Sequence, residues 1–413
     1  MRDVDPSPRL AELVGTVASV KWQGYSSGFV LRCDAMTLPE GQESPRRVLV
    51  TCRQQLPGIA VGDAVRLRGL FRLDARGCVM DAVELERLAP RDASARGWAW
   101  SSLDRLQSRR QLGQSLLLGQ GDAPESADFR RAGLLHVLAV SGMHLAIAAV
   151  LGLWLLRVAG VGWGTRQVAL AALIIGYTWL TGASPATMRA LVMGLCVVAM
   201  ALLAREPHRL AAVSLSAFAL MVIDPTNAGN IGFQLSLAAV LGILTMGLDL
   251  VRLRTQVLPL APWPLDRPTW RAALWSSRAL CDGLAIGIAA SVATLPLIAW
   301  HFHTATPWSP ITTLAATPPT TVALWLGLPC VALAGAFPNG PWEGLYAALE
   351  WNLEALAAIV RWAASWPGAS MAVSAPGPAT LLLWPLLFLP LRDRIDIALR
   401  TGAFLVLIAL WAL

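Results

Sequence analysis

The sequence predicts an α-helical polytopic membrane protein of about 8–10 spans, with a small all-β, OB-like domain at its N-terminus. The first observation is composition: 55% of the 413 residues are hydrophobic and only 14% are charged, which is too apolar for a soluble protein of this length. The second is a series of charge-free stretches after residue 133, and the third is a set of short alternating runs before residue 93. We therefore divide the chain into 1–92, 93–132 and 133–413.

Residues 1–92 are expected to form a small barrel. Apolar-rich runs alternate with turns that contain Gly or Pro, a pattern typical of strands, and five such strands fit an OB-fold. The loop after the first strand offers Lys21, Trp22 and Tyr25, a combination in which aromatic rings stack on bases and a cation holds phosphate. The alternative is that these aromatics close the rim of the barrel. The expected strands are residues 13–22, 28–38, 46–52, 63–71 and 78–88.

Three cysteines of this part raise the question of a disulfide. Cys33 and Cys52 fall on neighbouring predicted strands, so a bond among Cys33, Cys52 and Cys78 is one hypothesis for a domain in an oxidising compartment. The other is that these cysteines are small buried apolar side chains. The six cysteines of the chain show no metal-ligand spacing, so we expect no metal site.

Residues 93–132 are expected to form basic amphipathic helices at the membrane interface. Their arginines are interleaved with Trp and Leu, as in helices that lie on membranes. One interpretation is contact with lipid head groups; the other is that the arginines guide a polyanion towards a pore. The candidate nucleic-acid-binding arginines are Arg105, Arg109, Arg110, Arg130 and Arg131.

The first predicted span covers residues 134–156. It contains no Asp, Glu, Lys or Arg over 23 residues, which suffices to cross a hydrocarbon core of about 30 Å. It nevertheless carries His136, Ser141, Gly142 and His144. In a continuous helix Ser141 and His144 share a face, which a simple membrane anchor does not need.

The arginine content of the loops predicts the orientation. Loops 157–167, 205–210 and 249–282 are rich in Arg, whereas the alternate loops are poor in charge, so the arginine loops are expected in the cytoplasm. The start of the first span and the barrel then face outward. The other charge-free stretches are 168–182, 190–204, 211–223, 231–248, 283–300, 311–337, 379–391 and 401–413, and 343–366 either crosses within the bundle or lies in the interface.

Two further polar clusters stand near the outer ends of spans. The first contains Thr181, Gly182, Pro185 and Arg189, where an arginine either reaches outer lipid heads or faces a polar interior. The second contains Asn230, Gln234 and Ser236, where amides either hold helices together or line a cavity. Three polar clusters on separate spans favour a polar cavity.

The motifs resemble a known family. The segments 117–119, Phe129 and 133–144 (Gly-Leu-Leu-His-Val-Leu-Ala-Val-Ser-Gly-Met-His) are similar to the hallmark of the ComEC family, inner-membrane channels for DNA uptake in natural competence. Segments 181–190, 232–236 and 294–302 resemble further blocks of that family. The resemblance implies import of single-stranded DNA, pulled by a cytoplasmic helicase-like ATPase. It also implies a DNA receptor, a separate nuclease and a possible homodimer as partners, besides membrane lipids.

The chain departs from the family pattern in several places. Thr313-Leu314 with Pro318 stands where the family has Asn-Leu followed by Pro, and Met143 replaces Leu. We find no counterpart of the metallo-β-lactamase-like domain or of the N-terminal spans of longer members, and no GxxxxGK[ST] nucleotide loop. We therefore expect no catalytic residues, no metal and no cofactor. The alternative function is a transporter or membrane scaffold for a small anionic solute or an envelope component.

Overall fold

The computed structural model describes most of the chain, and the statements below refer to those residues. They are residues 9–23, 26–37, 47–52, 64–74, 77–89, 95–119, 123–183, 185–203, 209–223, 225–257, 268–337, 340–388, 402–404, 406–407 and 411. The structure is mostly helical after residue 94, and it has a β region before that residue.

The N-terminal β region is a closed five-stranded barrel. Its neighbours follow the order β1-β2-β3-β5-β4, and all pairs are antiparallel except β3 with β5. Alternate residues point inward, so that Leu13, Val50 and Leu67 are fully buried. Each of the five expected strands has a counterpart in the structure. The strands are β1 Arg9–Gln23, β2 Ser26–Thr37, β3 Arg47–Cys52, β4 Ala64–Asp74 and β5 Gly77–Ala89.

The strand register argues against the disulfide hypothesis. Cys52 lies opposite Ser27 of β2, six positions along that strand from Cys33, which is about 20 Å at the usual rise of a strand. Cys78 lies opposite Leu73 of β4. A disulfide requires Cα atoms within about 7 Å, and this register does not place any two of the three cysteines opposite each other.

The segment that follows the barrel is more deeply buried than an interfacial helix. It forms α1 (Ala95–Ser102), a 3₁₀ turn (Leu103–Arg105), α2 (Arg110–Leu118) and α3 (Ser126–Arg131). Every residue of α2 from Leu112 to Leu118 is buried, so this helix belongs to the protein core rather than to a membrane surface. Gly113 permits the close packing, because a Cβ there would lie 2.7 Å from Leu106 Cδ1.

The remaining chain is a helical bundle with two short strands. Its described helices are α4 Leu135–Leu138, α5 Gly142–Val158, α6 Trp163–Leu180, α7 Pro185–Leu202, α8 Arg209–Ile223, α9 Ile231–Gly242, α10 Leu248–Val257, α11 Pro268–Phe302, α12 Ser309–Ala336, α13 Glu343–Ala364 and α14 Pro378–Leu383, and the strands are β6 Thr304–Ala305 and β7 Met371–Ala372. Five of these helices, α5, α6, α7, α12 and α13, share one hydrophobic core with α1 to α4.

Three helices are long and apolar enough to cross a membrane. In the described part of the chain they are Ile231–Thr255, Leu274–Phe302 and Ser309–Leu333. The first joins α9 and α10 through a π-helical turn, Ile243–Gly247. Shorter apolar helices cover Gly142–Val158, Ala186–Leu202 and Leu210–Ile223. The expected count of about 8–10 spans stays a prediction.

The expectation of one continuous helix over residues 134–156 is wrong. α4 ends at Leu138, Ala139 and Ser141 have extended backbones, and α5 begins only at Gly142. The cause is a competing helix start, because Ser141 caps α5 from outside the helix. Ser141 and His144 therefore meet through the cap and not as neighbours on one helix face.

The α9–α10 helix and α11 pack closely against each other in the second half of the bundle. A Cβ on Gly242 would lie 2.5 Å from Ala293 Cβ and 2.8 Å from the Ala289 carbonyl oxygen, so the two backbones nearly touch. Arg254 of α10 makes two hydrogen bonds, of 2.7 and 3.1 Å, to the Asp282 carboxylate of α11. The two helices are therefore held by backbone approach in the middle and by an ion pair at one end.

This close approach yields a stability prediction. Gly242→Ala should destabilise the protein by about 1–3 kcal/mol, because its methyl group overlaps α11 and forces the helices apart. Gly176→Ala on α6 is the matched control, since a Cβ there meets no atom within 4 Å and alanine favours a helix by up to about 1 kcal/mol. Unfolding of both variants in the same detergent measures the difference. Equal stability of the two would contradict the packing described here.

Candidate functional site

A capping box opens α5. The Ser141 backbone N–H donates to His144 Nδ1 (3.3 Å), and the Ser141 hydroxyl lies 3.2 Å from the same nitrogen. Because Nδ1 accepts, the proton of the neutral ring is on Nε2. His144 is fully buried, and its Nε2 makes no hydrogen bond to the described residues, although the Val137 carbonyl faces the ring. The cap therefore leaves one buried polar atom of His144 without a bonded partner.

The turn before α4 joins the start of α12. Gly133 has a φ of 74°, and a Cβ there would lie 2.8 Å from Thr306 Oγ1. Its carbonyl accepts a hydrogen bond from the Ser309 hydroxyl (3.2 Å). The exposed His136 has Nε2 3.5 Å from Thr313 Oγ1. His136 is also close enough to His144 for the two rings to interact electrostatically.

The turn between α6 and α7 is closed by Thr181. Its hydroxyl donates to the carbonyls of Tyr177 (3.0 Å) and Thr178 (3.1 Å) at the end of α6. Gly182 and Ala183 have φ angles of 85° and 50°, a left-handed turn that ends the helix. Pro185 is the first residue of α7, a position that suits proline because no N–H is needed there.

Arg189 is the buried cation of the site. It stands on α7 with 4% of its surface exposed. Its Nη2 donates to the Gly232 carbonyl (2.9 Å), and its Cζ lies 5.1 Å from the centre of the Phe233 ring. Its Nε and Nη1 are buried without a hydrogen bond to the described residues, none of which forms an ion pair with it. A buried guanidinium usually has a carboxylate partner.

The third cluster starts α9. Asn230 Oδ1 accepts from the Phe233 backbone N–H (3.1 Å) and so caps the helix. Gln234 Nε2 donates to the Ala228 carbonyl (2.9 Å), while its Oε1 accepts from His301 Nε2 (3.2 Å) at the end of α11. Ser236 is half-buried two residues further along α9.

These contacts bring the three sequence clusters together. A Cβ on Gly142 would lie 3.4 Å from Ala190 Cβ, which joins the start of α5 to the residue after Arg189. Arg189 in turn reaches Gly232 on α9. The site therefore collects the first turns of α5 and α9 and the first two turns of α7 with the last turns of α6 and α11. Positive helix N-termini and a cation make this end of the bundle electropositive.

Residues outside the predicted set also belong to the site. His301, Thr313 and Phe233 supply contacts to Gln234, His136 and Arg189. Each stands beside or within a motif on which the family resemblance depends, which was the available signal.

The arginines at 105–110 are held by internal partners. Arg109 forms ion pairs with Glu125 and Glu354, Arg110 lies 3.7 Å from Asp104, and Arg105 lies over the Tyr346 ring. Hydrogen bonds from Arg361 and Arg109 hold the pKa of Glu354 below its ordinary value. Arg130 and Arg131 are exposed. These contacts limit how far the first three arginines can serve an external polyanion.

The barrel candidates are placed only in part. Lys21 and Trp22 lie at the end of β1, opposite Gly28 and Ser27 of β2. Tyr25 lies outside the described residues, as does Ser184 of the α6–α7 turn. Among the described residues no group of three His, Cys, Asp or Glu side chains is arranged to hold a metal ion.

The contact between Gln234 and His301 yields a second prediction. In a double-mutant cycle of Gln234→Ala and His301→Ala, the unfolding free energies should show a coupling of about 0.5–1.5 kcal/mol, because the two changes remove one shared hydrogen bond. Ser236→Ala combined with His301→Ala is the control cycle and should show no coupling. Additive effects in the first cycle would mean that the bond contributes nothing.

Comparison with known proteins places this site within a family. The model of the competence protein family matches residues 116–392, more than half of the chain and all three clusters. ComE operon protein 3 of Bacillus subtilis strain 168 is 23% identical over 175 residues, which are 42% of this chain but only 20% of that protein. No solved structure matched the chain. The match over residues 116–392 shows that the chain belongs to the competence protein family.

Proposed function

We propose that this chain forms a path for single-stranded DNA across the bacterial inner membrane during natural transformation. Membership of the competence protein family supports a role in DNA uptake. The specific role of a channel rests on the geometry of the polar site. The chain would be a polytopic membrane protein without a chemical step of its own.

The observation that carries the proposal is the convergence of helix ends at the polar site. α5, α6, α7 and α8 have only 15–18 residues, about 23–27 Å, which is shorter than a hydrocarbon core of about 30 Å. Helices that stop inside a membrane expose backbone groups, which is tolerated only against protein or a water-filled cavity. Interrupted helices whose N-termini meet are a common way to build a transport site.

The structure also supports the proposed orientation. Twenty residues separate Gln234 from Arg254 along α9 and α10, a distance of about 30 Å. The polar site and the Arg254–Asp282 ion pair are therefore about one hydrocarbon thickness apart. Because the arginine loops favour the cytoplasm, we place the polar site towards the outer face. In this proposal the barrel is an OB-fold that receives DNA on the same side.

Transport would need other components. A cytoplasmic helicase-like ATPase would pull the strand, a DNA receptor would deliver it, and a separate nuclease would remove its complement. The proposal includes a homodimer as one assembly that would form the pore. The alternative cargo is a small anionic solute or an envelope component, since an electropositive site favours anions in general.

The first functional prediction concerns His144. His144→Gln keeps a side chain that can accept the Ser141 N–H in a capping box, whereas His144→Ala removes the cap as well. Both variants should abolish DNA internalisation while leaving surface binding intact. The reason is that both remove the imidazole ring, whose Nε2 is not used by the helix cap. The measurement is nuclease-protected labelled DNA in the native host, with membrane insertion of each variant verified by fractionation.

The outcomes separate three explanations. Loss of uptake in His144→Ala but not in His144→Gln would mean that His144 serves only as a helix cap. Normal transformation by both variants would contradict the channel proposal. If deletion of the whole chain leaves transformation unchanged and instead alters uptake of a small anion, the alternative cargo replaces DNA.

The second functional prediction concerns orientation. In a background that lacks the six native cysteines, Arg252→Cys should react only with reagents that reach the cytoplasm, whereas Ala228→Cys should react from outside. Both positions are exposed, and Arg252 is preferable to Arg254 because it is not part of the buried ion pair. The opposite labelling pattern would place the polar site at the cytoplasmic face and end the import model.

A further inference from the structure

Arg189 has a binding capacity that its internal contacts do not use. Only Nη2 is engaged, by the Gly232 carbonyl (2.9 Å), while Nε and Nη1 are buried without partners in the described structure. The Phe233 ring beside it at 5.1 Å attracts a cation but does not neutralise its charge. The guanidinium therefore lacks a counter-charge among the described residues.

The surroundings of Arg189 favour a bound anion as its partner, rather than a carboxylate side chain of the protein. Arg189 is the fifth residue of α7 and contacts the first turn of α9, so it lies beside two positive helix ends. Both helices have at least twelve residues. The Asn230 side chain and Gly232 are exposed, so the buried guanidinium lies next to an accessible surface. An anion at this surface can reach the guanidinium by replacing the hydrogen bond from Nη2 to the Gly232 carbonyl.

We propose that Arg189 is a binding residue for a phosphate group, which supplies the counter-charge that none of the described residues provides. The planar guanidinium offers several N–H donors in a geometry that matches phosphate oxygens. Without phosphate, Nη2 donates to the Gly232 carbonyl. A phosphate that takes the place of this carbonyl accepts from Nη2 together with Nε or Nη1, so that a nitrogen without a partner among the described residues gains one. This inference rests on the proposed function for its cargo, because a phosphodiester chain carries such a group at every nucleotide.

The test uses the full chain in nanodiscs of zwitterionic lipid. Wild type, Arg189→Gln, Arg189→Lys and Arg252→Gln are titrated with inorganic phosphate and with a short oligo-dT, and thermal unfolding and ligand binding are both measured. Phosphate should raise the unfolding temperature of the wild type and of Arg252→Gln, which changes an exposed arginine of α10, far from the polar site at the start of α9. Arg189→Gln should lose this response, and Arg189→Lys should keep only part of it.

The unfolding temperature without ligand separates binding from a structural role. If Arg189 serves the phosphate site, Arg189→Gln should unfold at the wild-type temperature or higher, since it removes a buried charge without a partner. A lower unfolding temperature together with an unchanged phosphate response would overturn the proposal. Asp224 lies outside the described residues, so Asp224→Asn is added. A phosphate response that appears only in that variant would identify Asp224 as the counter-charge and also overturn it.

The source of the phosphate is decided by two further arms. Nanodiscs that contain an anionic phospholipid should leave the response to oligo-dT intact; if they abolish it, the site takes a lipid head group. A response to inorganic phosphate without a response to oligo-dT would support the anion site but would exclude DNA as its ligand. Absence of both responses in the wild type would end the phosphate site, while the uptake assays would still judge the channel independently.

Discussion

A helix that ends inside an apolar bundle must find partners for its last N–H and C=O groups within the protein, and the polar site is built by this constraint. Ser141 and His144 close the start of α5, Asn230 closes the start of α9, and the Thr181 hydroxyl closes the end of α6. The residues that look functional in the sequence are thus first of all helix caps. Among the described residues of the site, the buried polar atoms left without a partner are His144 Nε2, Thr178 Oγ1, and Nε and Nη1 of Arg189. Function is to be sought at these atoms.

Local patterns in the sequence predicted much of the fold and less of the site. The five strands were predictable because alternation and turns are local features, and α9, the second half of α11 and α12 follow charge-free runs. The break at Ser141 was hidden, because uniform apolarity over residues 134–156 looks the same with or without a kink. The signal that could have revealed it was Ser141 three residues before His144, which is the spacing of a capping box.

Contacts between distant segments could not be predicted from the sequence. The bonds Gln234 to His301 and Arg189 to Gly232 depend on how helices pack, and no local pattern encodes that packing. The burial of α2 is an intermediate case. Leu116, Leu117 and Leu118 follow one another on all sides of a helix, which indicates complete burial. Because arginines are interleaved with its apolar residues, this segment was predicted to lie at the membrane surface. In the structure, Arg109 forms ion pairs with Glu125 and Glu354 instead.

The two ends of the α9–α11 pair are held by interactions of different strength. Arg254 and Asp282 form a charge-assisted pair with two hydrogen bonds, which is stronger than the single hydrogen bond between Gln234 and His301. Between them, Gly242 packs directly on Ala289 and Ala293, and close-packed backbones do not slide past one another readily. Relative movement of α7, α9 and α11 therefore needs least free energy at the polar end, where single hydrogen bonds connect them. The phosphate proposed to bind Arg189 would act at that end, where it would shift the helix ends around the polar site more readily than the end held by Arg254 and Asp282.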